Sequence, residues 1–136
     1  RNFRVDELTY RTARGEMVRS KLEVLIADAL YYAGLPYLYE LPLINERKKL
    51  NLLPDFTILD SQTGKIYYLE AFGMMDNAAY SAAALRKLRK YENAGFFPGE
   101  NLITVFDGTA APFDQTTFKK YLTRNVNTRH LYVSKA

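Results

Sequence analysis

Pro54-Asp55-Phe56-Thr57-Ile58-Leu59-Asp60 runs through Ser61-Gln62-Thr63-Gly64 into Lys65-Ile66-Tyr67-Tyr68-Leu69-Glu70-Ala71-Phe72. Two apolar stretches rich in β-branched and aromatic residues, separated by a polar tetrapeptide ending in glycine, predict a hairpin with arms 56–60 and 65–72. Asp60 then faces Lys65, and counting back sets Asp55 opposite Glu70. Directly opposed residues project from one face with Cβ atoms about 5 Å apart. Two ionised carboxylates at that separation repel, and like charges facing each other destabilise a sheet. The simplest reading puts a cation between them, and ligation by oxygen from few side chains suits Mg²⁺, with Mn²⁺ as a substitute. The competing reading makes Asp55 a turn residue after Pro54 and Glu70 a solvated strand residue. A register slip of one position would put them on opposite faces.

Composition narrows the chemistry. The 136 residues are enough for one domain with its own core, and 48% of them are hydrophobic, with 11 Tyr and 8 Phe. No apolar run is long enough for a bilayer and no signal-peptide pattern opens the chain, so no membrane partner and a cytoplasmic location are expected. There is no cysteine and one histidine, His130. Disulfides, thiolate zinc sites and cysteine nucleophiles are therefore excluded, and carboxylates are the remaining metal ligands. Net charge is +4, but the cations cluster: Arg11, Arg14, Arg19 and Lys21 early, Arg47-Lys48-Lys49 in a charged loop, and Arg86, Lys87, Arg89 and Lys90 on one helix. Such clusters suit phosphate backbones, although basic helix faces are commonly plain solvated surface.

The rest of the chain reads as a small α/β domain. Residues 1–14 form a polar, basic N-terminal segment, and 15–136 the domain, expected to belong to a longer protein because the chain opens on Arg1. Val18, Leu22, Leu25, Ile26, Ala29, Leu30 and Ala33 recur at helical spacing over 16–33, ended by Gly34 and Pro36. Residues 37–43 alternate like a strand, and 45–51 read as a charged loop. Asp76 is the expected N-cap of a helix to Ala94, with Tyr80, Ala84, Leu88 and Tyr91 inward and Gly95 closing it. Leu102-Ile103-Thr104-Val105-Phe106 reads as a central strand covered on both faces. Asp114 is expected to cap a last helix carrying Phe118, Tyr121 and Leu122 inward, and residues 130–133 to form a short edge strand. The sum is a four- to five-stranded mixed sheet flanked by helices.

Five short motifs occur in order: Arg19-Ser20-Lys21-Leu22-Glu23, Tyr37-Leu38-Tyr39-Glu40, Pro54-Asp55-Phe56-Thr57, Glu70-Ala71-Phe72-Gly73-Met74-Met75-Asp76, and Lys87-Leu88-Arg89-Lys90-Tyr91. Together they resemble the restriction-endonuclease-like core of the PD-(D/E)XK nuclease superfamily, and more closely a bacterial nuclease-like domain within it. The resemblance covers about Arg14 to Asp107. It implies a metal-dependent deoxyribonuclease in which Asp55, Glu70 and the backbone carbonyl of Ala71 hold Mg²⁺ or Mn²⁺. Glu23 would reach the same site from the first helix, through a water or a second metal. DNA is the expected partner, RNA is also compatible, a homodimer is admissible, and additional domains are expected. Arg19, Lys21, Arg86, Lys90 and Tyr91 are the expected nucleic-acid contacts.

Two departures from the family pattern bear on activity. Phe72 stands where the family name places lysine, and an aromatic ring cannot orient water or offset phosphate charge. Lys87, one turn from Tyr91, is the expected substitute. Ala71 stands where the closest relatives carry histidine, which removes a side chain able to supply a proton or a phosphate contact. A degenerate domain that binds nucleic acid without cutting it is therefore the alternative. A third reading is a protein-interaction module that exposes Tyr10, Tyr31, Tyr32, Phe96 and Phe97, although tyrosines of this kind are more often half-buried.

Overall fold

The computed structural model describes residues 8–47 and 49–126. Along the chain run β1 (Tyr10–Arg11), β2 (Met17–Val18), α1 (Lys21–Tyr32), β3 (Tyr37–Tyr39), β4 (Leu43–Asn45), β5 (Leu50–Leu52), β6 (Phe56–Leu59), β7 (Ile66–Phe72), α2 (Ala78–Asn93), β8 (Leu102–Phe106) and α3 (Gln115–Asn125). Three helices accompany a four-stranded mixed sheet of order β3-β6-β7-β8, and β1-β2 and β4-β5 form small two-stranded ribbons. The expected α/β class with a mixed sheet is therefore found. Among the described residues no helix is long and apolar enough to cross a membrane.

The 56–72 hairpin forms as its alternation demands. Asp60 N–H donates to Lys65 O at 2.9 Å, and Gly64, at φ 77, closes the turn with its N–H on Asp60 O. A side chain at that φ is strained, which is why glycine serves there. β8 runs parallel to β7, with Glu70 paired to Thr104 and Ala71 to Val105.

Several sequence expectations need correction. The first helix starts at Lys21, five residues later than its apolar period predicts. Ser20 is its N-cap, with Oγ accepting from Glu23 N–H at 3.1 Å, and Glu23 Oε1 accepts in turn from Arg19 N–H at 3.0 Å. A Ser-x-x-Glu pair satisfying orphan N–H groups in this way sets a helix start more firmly than periodicity does. Met17 and Val18 instead pair with Arg11 and Tyr10.

The strand expected over 37–43 ends at Tyr39, because Glu40 turns into the left-handed region at φ 52 and Pro42 has no N–H to give. The segment read as a loop over 45–51 is a hairpin, with Leu43 opposite Leu52 and Asn45 opposite Leu50. Asn77, not Asp76, caps α2 by accepting from Tyr80 N–H. Asp76 receives the N–H and hydroxyl of Thr109 at 2.8 and 2.6 Å. Among the described residues β8 has a neighbouring strand, β7, on one side only. An unbroken apolar run reports that both faces are covered, not how many strands flank it. Tyr10, Tyr31 and Tyr32 are exposed rather than half-buried, Tyr32 to 71%. The strand expected over 130–133 lies outside the described residues, as do residues 1–7 of the expected basic segment.

The chain divides into two compact units. In the first (up to 37, 58–66 and from 114), α1 packs on α3, burying Ile26, Leu30, Phe118 and Leu122. Asp114 caps α3 as the sequence predicts. The Arg14 guanidinium lies 3.6 Å from the Tyr37 ring centroid and pairs with Glu16 Oε2, while Tyr37 Oη and Thr12 Oγ1 donate to Glu16 Oε1. In the second unit (38–57 and 67–113), Leu52, Tyr91 and Leu102 form a buried cluster joined by Leu43, Leu50, Tyr68, Leu88 and Phe96.

Replacing Ser20 with alanine leaves the first-turn N–H groups of α1 without their cap, a loss of about 1 kcal/mol. Chemical denaturation should show a lower midpoint at an unchanged slope.

Candidate functional site

Asp55 and Glu70 both belong to the second unit, and each is 1% exposed. Asp55 sits one residue before β6, between buried Pro54 and buried Phe56. Its backbone carbonyl receives Glu40 N–H at 3.0 Å, so the reversal at Glu40 pins the backbone that carries it. Its Oδ2 accepts Ala71 N–H at 2.8 Å. The Asp55 carboxyl lies close enough to Glu70 for its charge to act on the Glu70 carboxyl. They thus converge, as the hairpin reading requires. Side chains on opposite faces of a sheet could not do this.

Glu70 receives two further groups from α2. Lys87 Nζ lies 2.7 Å from Oε1, and Tyr91 Oη donates to the same oxygen at 2.8 Å. Residues four apart share a helix face, so the Lys-x-x-x-Tyr spacing delivers both to one acceptor. The Lys87 side chain is 32% exposed, while that of Glu70 is 2%. Lysine is therefore the solvent-side member of an otherwise buried set.

Burial pushes the Glu70 carboxyl up to about 8, the negative charge of Asp55 adds to this, and the Lys87 ammonium opposes it. The Lys87 ammonium beside Glu70 offsets part of the cost of holding negative charge away from water, while burial and the neighbouring Asp55 oppose ionisation of Glu70.

The donor set suits a hard cation: two carboxylates, with coordination completed by backbone carbonyl, water or substrate oxygen. Among the described residues no group of three or more acidic or histidine side chains could hold a metal, so a cation here rests on this pair.

The remaining candidates fall as follows. Glu23 is buried in the first unit, where it serves the N-terminus of α1; the sequence already carried that signal in Ser20-x-x-Glu23. Arg19 is half-buried and Lys21 exposed, both in that unit. Arg86 and Lys90 are exposed on α2. They form the next i, i+4 row beside Lys87 and Tyr91. Tyr91 is fully buried, so it offers no face to a nucleobase, contrary to its expected role; its hydroxyl serves Glu70. Phe72 is buried and stacks on Phe106 with centroids 5.3 Å apart. Sequence reading missed the Ala71 N–H on Asp55, because a backbone donor leaves no trace in residue identity.

The chain is 35% identical over 81 residues to the uncharacterized protein MJ1519 of Methanocaldococcus jannaschii, a match covering 60% of this chain and 6% of that protein. The chain therefore spans only a small part of that relative's length. No family model and no solved structure matches the chain.

A Glu70 carboxyl held near 8, against an ordinary 4.5, means the folded state binds more protons than the unfolded chain between those values. Stability from this site should therefore fall as pH rises through that window and level off above it. Urea titrations of the wild type and Glu70→Gln, with chelator at the two ends of the window, should show the fall in the former and a markedly smaller one in the latter.

Proposed function

We propose that the chain is a nuclease domain of the PD-(D/E)XK kind, hydrolysing DNA phosphodiester bonds with Mg²⁺ or Mn²⁺. The observation that supports this reading most is the convergence of Lys87 on Glu70 beside Asp55. An acid pair on neighbouring strands and a lysine from the following helix reproduce the chemical set of that superfamily, although Phe72 fills the usual lysine position. Asp55 and Glu70 would hold the cation, with the Ala71 carbonyl as an added oxygen. Bound there, a divalent ion supplies Lewis acidity and a water of lowered pKa.

The chain's own residues supply the rest. Pro54, the Glu40 reversal and the Ala71 N–H hold Asp55 still. Tyr91 fixes the Glu70 carboxylate from the buried side. Lys87, with its ammonium at the solvent edge, would orient an attacking water and offset charge on the phosphate. Arg86 and Lys90 on the adjoining row of α2 would hold flanking phosphates without reading bases.

Ala71 and Phe72 favour a second reading, a binding domain that has lost catalysis. A supercoiled-plasmid assay with Mn²⁺ separates the two. Nicking is expected for the wild type, should rise with Ala71→His, and should drop at least about 100-fold with Asp55→Asn or Lys87→Met. No nicking in any variant, with retained retardation of DNA, would leave the binding domain standing.

A further inference from the structure

The β4–β5 hairpin has two unlike sides. Leu43, Leu50 and Leu52 pack into the cluster around Tyr91 and Leu102. Ile44 and its partner Asn51 face outward, with Ile44 64% exposed. The tip residues Glu46, Arg47 and Lys49 are exposed, and among the described residues neither Arg47 nor Lys49 is ion-paired.

Lys49 also holds an unusual conformation. Its N–H donates to Glu46 O at 3.2 Å and its φ is 53, in the left-handed region. A hairpin turn that ends in this way prefers glycine, or asparagine at a lower cost, because a Cβ there is crowded. Lysine at this position sacrifices stability for a charge at the apex. Outliers of this kind concentrate where a side chain is needed for contact.

The hairpin's root bears on the same residue that orients Glu70. Leu52 and Tyr91 share one buried cluster, and the Tyr91 hydroxyl donates to Glu70. The tip is thus anchored within the unit that carries the acid pair, with Lys49 about 10 Å beyond Leu52 if the arm is extended.

We propose that the β4–β5 tip is a backbone clamp, in which Arg47 and Lys49 hold phosphates of a nucleic-acid strand away from the acid pair. The inference rests on the nuclease reading and names a contact surface for it. Exposed cations on a projecting turn fit a polyanion, which such side chains hold through its phosphates.

The test uses Asp55→Asn as background, so that no strand is cut, and a fluorescein-labelled duplex of about 30 base pairs read by anisotropy from about 50 to 200 mM salt. Adding Lys49→Gly should weaken binding about 3- to 10-fold and lower the slope of log affinity against log salt by about 1. The same change should leave the melting temperature equal or raise it by about 2 °C, because glycine relieves the turn. Arg47→Gln should show a similar loss without the thermal gain.

Binding and slope unchanged in both variants would overturn the clamp, as would weaker binding accompanied by a lower melting temperature in both. Absence of any duplex binding by the background protein overturns it too. Mn²⁺ cleavage by the wild-type chain is scored separately. Normal binding through the tip without cleavage removes the hydrolase and keeps the clamp, while cleavage with an indifferent tip does the reverse.

Discussion

Two carboxylates nearly sealed from water and in contact with each other are the constraint around which the second unit is organised. Left ionised and alone, Asp55 and Glu70 would each cost several kcal/mol of desolvation, in addition to their mutual repulsion. Two devices reduce that cost: the Lys87 ammonium, and hydrogen bonds from Ala71 N–H and Tyr91 Oη. Replacing both acids with apolar residues of similar volume is the cheaper structural solution.

The same arrangement links remote parts of the unit. Tyr91 is at once a member of the apolar cluster and a donor to Glu70, so packing of Leu52, Leu102 and the β4–β5 hairpin is felt at the carboxylate. Glu40 turns the chain out of the sheet and its N–H holds the Asp55 carbonyl. α2 is amphipathic with three tasks: Ala84 and Tyr91 buried, Lys87 at the site's edge, and Arg86, Arg89 and Lys90 toward solvent.

Much of this was legible in the residues. The Gly64 turn, the meeting of Asp55 with Glu70, the Lys87 and Tyr91 pairing on one helix face, and the Asp114 cap all follow from fixed local spacings. What escaped was of two kinds. Competing local signals misled at Ser20 and Asn77, where capping chemistry outweighed apolar period and the better-known preference of aspartate. At residues 45–51 a charged composition masked a hairpin whose alternate leucines are buried only because Tyr91 and Leu102 await them.

By itself the sequence determined the α/β class, the exclusion of thiol and multi-histidine chemistry, and the placing of two acids on facing strands. These depend on composition and on periods of two and 3.6 residues, which act within a few residues of chain. Tertiary structure alone decided that Tyr91 is sealed inside and how strongly the Glu70 proton is held. Each of these turns on burial and on partners many residues away, and the free energy of a charge depends on what surrounds it rather than on where it stands in the chain.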